Sequence, residues 1–146
     1  ASDALYKRSR VVRPIEMGTT LVMASVEGNK VTITHCGDSR CYLLRDGGVV
    51  HQTQDHSDPH MGSEVVTKCF FSMASEVAVP DIAQFEIKSG DRILLCSDGL
   101  YKSMPPDILK ARMMDDKTPE ELLDVYDFLC EKNGDDNYTA ILAIIE

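Results

Sequence analysis

Strand hairpins first, two helices next and one closing strand predict an α+β fold with largely antiparallel sheets. Three observations carry this. Short β-rich runs are joined by local turns such as Gly28-Asn29, helix-start signals appear only after Met104, and an apolar run, Thr139–Ile145, ends the chain. The alternating pattern of a parallel βαβ fold is missing. At 146 residues, with no repeat or Pro/Gly-rich linker, residues 1–146 read as one domain with a sizeable core.

Leu5 to Arg13 reads as the tail of a helix, stopped before Pro14. Thr20–Val26 and Lys30–Cys36 form a hairpin around Gly28-Asn29. Arg40–Leu44 follows and leads through Asp46-Gly47-Gly48 to a short strand near Val49–Gln52, so the first half predicts a meander of adjacent strands. Gln54 to Ser63 is rich in turn formers and reads as a surface loop, while Glu64–Phe71 fits neither period. Ala83–Ile87 and Arg92–Cys96 are predicted to pair as a hairpin across Ser89-Gly90. A helix opens at Pro105-Pro106, where an opening turn tolerates proline. A second starts from Thr118, with Glu121 three residues on completing a capping box and Leu122, Leu123, Val125, Tyr126 and Leu129 inward. Thr139–Ile145 is apolar enough for a central strand.

The net charge is −9, with a basic opening (Lys7, Arg8, Arg10, Arg13) and most of the acid excess after Ser97. An acidic chain without a basic stripe is a poor nucleic-acid binder, and no apolar run approaches a membrane span. The N-terminal residues lack the apolar stretch of a secretory signal. Five cysteines, an odd number without close pairs, fit reduced structural thiols in a cytoplasmic protein. No histidine is placed to support Cys96 as a nucleophile; His35, His51, His56 and His60 read as packing or solvent-facing residues.

Chemistry is concentrated where apolar runs meet acids. Val31–Cys36 runs into Gly37-Asp38-Ser39-Arg40, and Arg92–Cys96 runs into Ser97-Asp98-Gly99. In Gly134-Asp135-Asp136-Asn137 the order reverses and the acids lead into the last strand. Each site alone is usually just a turn, and Arg40 could simply pair with Asp38 at the surface. Together, acids at strand ends suit hard, oxygen-seeking divalent cations such as Mg²⁺ or Mn²⁺. Asp135 beside Asp136 adds a repulsion that a cation or hydrogen bonds must offset.

Five motifs occur in order: Gly18-Thr19-Thr20; Cys36-Gly37-Asp38-Ser39-Arg40-x-Tyr42; Thr53-Gln54-Asp55-His56-Ser57; Gly90 through Leu100 with Cys96-Ser97-Asp98-Gly99; and Asp136-Asn137-x-Thr139. From roughly Arg10 onward this series resembles the metal-dependent type 2C protein phosphatases, the PPM family. The resemblance implies an antiparallel β-sandwich flanked by helices (α-β-β-α). It implies that Asp98 and Asp136 hold two catalytic ions, Mn²⁺ or Mg²⁺, with the Gly99 backbone beside them, and that Asp38 serves a third, weaker ion. The implied reaction is attack of a metal-activated water on a phosphoserine or phosphothreonine of a phosphoprotein. Gly18, Thr19 and Thr20 match a structural motif on a core strand. No residue here is assigned as catalytic in its own right, and none as substrate-binding.

The sequence departs from the family at its start. The family's first two strands, one with an acidic ligand and one ending in Asp-Gly, have no counterpart before Gly18, and neither do its phosphate-binding arginine and candidate acid histidine. Lys102 stands four residues after Asp98, where many members carry another acid, and the segment from His56 to Ser75 is short. The domain therefore reads as N-terminally incomplete: a fragment, or a chain completed by an upstream segment or a partner, with a naturally reduced relative as the remaining alternative. A competing reading is a pseudophosphatase, a binding module with the fold but an incomplete metal cluster.

Overall fold

The computed structural model describes residues 2–12, 17–58, 65–72 and 78–146. Its elements are α1 (Ser2–Val12), β1 (Gly18–Thr19), β2 (Leu21–Glu27), β3 (Lys30–Cys36), β4 (Arg40–Arg45), β5 (Gly48–Gln52), β6 (Phe70–Phe71), β7 (Asp81–Glu86), β8 (Arg92–Cys96), α2 (Asp98–Lys102), α3 (Pro106–Met113), α4 (Pro119–Asn133) and β9 (Ala140–Ile144). All pairing is antiparallel, in a three-stranded sheet β2-β3-β7, a four-stranded sheet β5-β4-β8-β9 and a short β1-β6 ribbon.

Side-chain alternation explains the layers. Strand β4 is buried on both faces. Its Cys41 and Leu43 join Val31, Ile33, Ile87 and Ile93 between the two sheets. Its Tyr42 and Leu44 join Leu94, Cys96, Leu142 and the inner residues of α2, α3 and α4 on the other side. The result is a sandwich with helices over the outer face of the four-stranded sheet. Helix α4 begins as its sequence demands: Thr118 Oγ1 accepts from Glu121 N, and the Glu121 carboxylate accepts from Thr118 N at 3.0 Å. Among the described residues no helix is long and apolar enough to cross a membrane.

Three expectations are corrected. The meander divides between sheets, because the Gly37–Ser39 turn carries the chain from β3 in one sheet to β4 in the other. A strand with two apolar faces belongs in the middle, and β4 takes β5 and β8 as neighbours instead of β3. Strands β7 and β8 are not a hairpin either; β7 pairs with β3 and β8 with β4 and β9. The crossing is anchored by Asp91, fully buried, which accepts both Nε and Nη2 of Arg45 on β4 at 2.7 Å and the Lys88 N–H at 2.9 Å. Last, β9 lies at the edge of its sheet, with Leu142 buried and Ile141 largely exposed. The loop expected over Gln54–Ser63 is described only to Asp58, with a lone bridge pairing Ser57 and Val66. Pro14, His60 and the rest of that loop lie outside the described residues.

Candidate metal centre

Asp38 sits in the turn where the chain changes sheets. Gly37 has φ +117°, and a Cβ there would lie 2.3 Å from Thr20 Cγ2, so the turn requires glycine. His56 clamps this turn twice: its backbone N–H donates to Gly37 O at 2.9 Å, and its Nδ1 accepts from Gly37 N at 3.0 Å. Arg40 does not pair with Asp38. It forks onto Asp55 at 2.8 and 2.7 Å, donates to Tyr42 Oη at 3.1 Å and stacks 3.5 Å above the Tyr101 ring. Burial opposes the guanidinium charge, yet the Asp55 and Tyr42 hydrogen bonds outweigh it and hold Arg40 firmly protonated. Tyr101 in turn donates its hydroxyl to the Asp38 carbonyl at 3.1 Å. One arginine thereby joins the Asp38 turn, the Asp55 loop and α2.

Asp98 opens α2 at the end of β8. Its Oδ1 accepts the Gly99 N–H at 3.0 Å, and its Oδ2 accepts Lys102 Nζ at 2.8 Å. Ser97 fastens this strand end to the segment before β9, donating its N–H to Thr139 O and accepting Thr139 N on its hydroxyl at 3.0 Å. Gly99 permits the fit: a Cβ would stand 2.3 Å from Asn137 O and 3.3 Å from Asp136 O. Asp136 is exposed and caps its own turn, accepting Asn137 N at 2.7 Å. Lys102, Gly99, Gly134, Asp135 and Asp136 line a pocket of about 310 Å³.

The structure brings Asp38 and Asp98 close enough to repel. Burial first, and the Asp98 charge second, push the Asp38 carboxyl above its ordinary range, while Lys102 pulls it back. Asp136 joins this edge through the Gly99 contact. The three carboxylates are not all within 4.8 Å of one another, so they do not enclose a single ion. Their donor set, oxygens only, is of the kind that suits hard divalent cations.

Among the described residues one group of three does meet the 4.8 Å limit: His35, His56 and Asp81. Its protons argue against a metal. His56 Nδ1 already accepts a backbone N–H, so Nε2 carries the proton and donates to Asp81 at 3.0 Å. Lys68 compensates the same carboxylate at 2.6 Å, and together these bonds hold Asp81 down at about 2. This cluster pins β7 to the Asp38 turn. Asp55 and His56 were visible in the sequence only as part of a motif, without a role. Tyr101 carried no signal, since its partners lie far away along the chain.

A sandwich of two antiparallel sheets, with helices outside and carboxylates at the strand ends, defines the structural class. Residues 3–142 match the family model described as protein phosphatase 2C, and the chain belongs to that family. Among curated relatives, the Mycobacterium tuberculosis serine/threonine protein phosphatase PstP is 28% identical over 145 residues, covering 87% of this chain and 27% of that protein. The Listeria monocytogenes serine/threonine phosphatase stp is 31% identical over 146 residues, covering 86% of this chain and 56% of the relative. The chain thus spans about a quarter to just over half of these relatives. The solved catalytic domain of PstP in complex with two manganese ions superposes with a TM-score of 0.79 at 26% identity, covering 99% of this chain and 67% of that one.

Proposed function

We propose that this chain is the larger, C-terminal part of a metal-dependent phosphatase domain that hydrolyses phosphoserine and phosphothreonine in proteins. The observation that carries the reading is the register of β4 on β8, Arg40 opposite Cys96, which sets Asp38 and Asp98 at one end of the sheet beside the Asp136 segment. Family membership and the manganese in a related catalytic domain support it. Asp98 and Asp136 would hold two Mn²⁺ or Mg²⁺ ions, with Asp38 serving a third, and the Gly99 backbone would lie alongside. Such ions, when bound, activate a water and neutralise charge on phosphoryl oxygens. The chain's own residues hold the acids in place: Arg40 and Tyr101 fix the Asp38 turn, and Ser97 and Gly99 seat the Asp136 segment against α2. Five unpaired thiols support a reducing, cytoplasmic setting.

The test is hydrolysis of a small aryl phosphate with Mn²⁺ or with chelator, beside Asp98→Asn. Turnover that needs Mn²⁺ and vanishes in the variant is expected. Turnover that survives both chelator and Asp98→Asn would sink the reading. One observation favours a second reading, a pseudophosphatase: an ammonium already occupies Asp98. It predicts no Mn²⁺ binding even with any upstream segment present, and micromolar affinity would rule it out.

A further inference from the structure

The acid pair carries a cation of its own. Lys102 lies one turn of α2 beyond Asp98, so its stem folds back and sets Nζ 2.8 Å from Asp98 Oδ2. Asp38 stands two residues before Arg40, whose partner across the sheet is Cys96, two residues before Asp98, so both acids share the strand end beside this ammonium. Lys102 also lines the pocket that holds Asp135 and Asp136. One ammonium therefore faces the acids of three separate segments.

From this placement we infer that Lys102 is a tethered counter-cation, competing with a divalent ion for the Asp38–Asp98 pair and setting the metal concentration at which that pair fills. The inference rests on the proposed role of those acids. A divalent ion at coordinating distance from Asp98 would meet the ammonium as a like charge, so the lysine must leave as the ion enters. Its side chain is 38% exposed on a flexible four-carbon stem, which lets the ammonium swing away from Asp98. Without metal, Lys102 offsets the repulsion between Asp38 and Asp98. With metal, the released ammonium stands at the pocket rim, beside Asp135 and Asp136.

The experiment is a Mn²⁺ titration of the full-length protein, reading free Mn²⁺ by its paramagnetic resonance signal. It compares wild type, Lys102→Met, Lys102→Arg and Asp98→Asn. Lys102→Met is expected to tighten the weakest site at least tenfold or add one bound ion, whereas Lys102→Arg, which keeps the charge, stays within threefold of wild type. In wild type, acylation of the Lys102 amine, followed by mass spectrometry, is expected to rise as Mn²⁺ saturates. Binding that Asp98→Asn abolishes but Lys102→Met leaves unchanged in affinity and stoichiometry would overturn the lysine's role alone. Binding that Asp98→Asn leaves intact would overturn the assignment of the acids, and the lysine's role with it.

Discussion

Replacing Gly99 by alanine tests whether the close seat between α2 and the Asp136 segment matters. Two effects oppose each other. Alanine is the better helix former, by about 1 kcal/mol over glycine, and Gly99 sits in the first turn of α2. Against this, its Cβ would stand 2.3 Å from Asn137 O and 2.9 Å from Asn137 C, both backbone atoms of a segment fastened to Ser97 through Thr139. Reaching even 3.0 Å would part the two segments by about 0.7 Å. Overpacking of this kind costs about 1–3 kcal/mol, so the clash should outweigh the propensity gain. The expected net loss is about 1 kcal/mol, which lowers the unfolding midpoint by roughly 2–4 °C. A shift approaching 1 Å at a reacting centre costs about 10²-fold in rate, so turnover should fall far more than stability. Calorimetry and Mn²⁺-dependent aryl phosphate hydrolysis read the two quantities. Gly47→Ala is the control: its φ of +78° is strained for alanine, but the added Cβ meets nothing within 4 Å. It should lose about 1 kcal/mol and no activity. A Gly99→Ala protein as stable and as active as wild type would mean that the close seat on Asn137 does not hold the Asp136 segment in place.

Three further outcomes follow from buried groups and from a cap. Asp91→Ala removes a fully buried carboxylate and leaves the Lys88 N–H without its acceptor; a loss of about 1–3 kcal/mol is expected, read as a midpoint roughly 2–12 °C lower by calorimetry. His35 is 2% exposed, and burial first, then the neighbouring His56, lower its pKa from 6.5. The unfolded chain therefore binds the proton more readily, so stability is full above about pH 6.5 and falls as the pH drops toward the folded value. Urea midpoints between pH 7.5 and 5 should decline in wild type, and His35→Asn should flatten that decline. Thr118→Ala removes the side chain that accepts Glu121 N and should cost about 1 kcal/mol, seen as a lower urea midpoint with an unchanged slope.

What the sequence disclosed follows from how local its signals are. Thr118 and Glu121 announce α4 because a capping box is completed within four residues. Strand β3 was bounded correctly by a turn on one side and Gly37 on the other. Sheet membership was hidden, since it depends on partners far along the chain: Arg45 and Asp91, separated by 46 positions, decide that β7 and β8 part company. Asp38 and Asp98 were legible as strand-end acids, and the structure brings them into one field. What composition concealed was their support. Arg40 stands two residues from Asp38 and invites a local pair, yet its fork is taken by Asp55, fifteen positions on. Helix α2 was missed because Asp98-Gly99 reads as a turn and five residues carry too little pattern to say otherwise.

Two cations divide the work where the Asp38 turn meets the end of β8. Two carboxylates repel, yet β4 and β8 pair with Arg40 opposite Cys96, and that register carries Asp38 and Asp98 to the same end of one sheet. Arg40 holds the Asp38 turn there through three different interactions: a fork to Asp55, a hydrogen bond to Tyr42 and a stack on Tyr101, whose hydroxyl holds the Asp38 carbonyl. A lysine could supply the charge but neither the planar fork nor the stacked face. The neighbouring Lys102 works in the opposite manner, as a point charge on a flexible stem beside Asp98. A rigid cation thus fixes the frame that carries Asp38, while a flexible one offsets the charge inside it. Only the second can withdraw without the frame opening, so Lys102 is the cation that can yield its place to a metal.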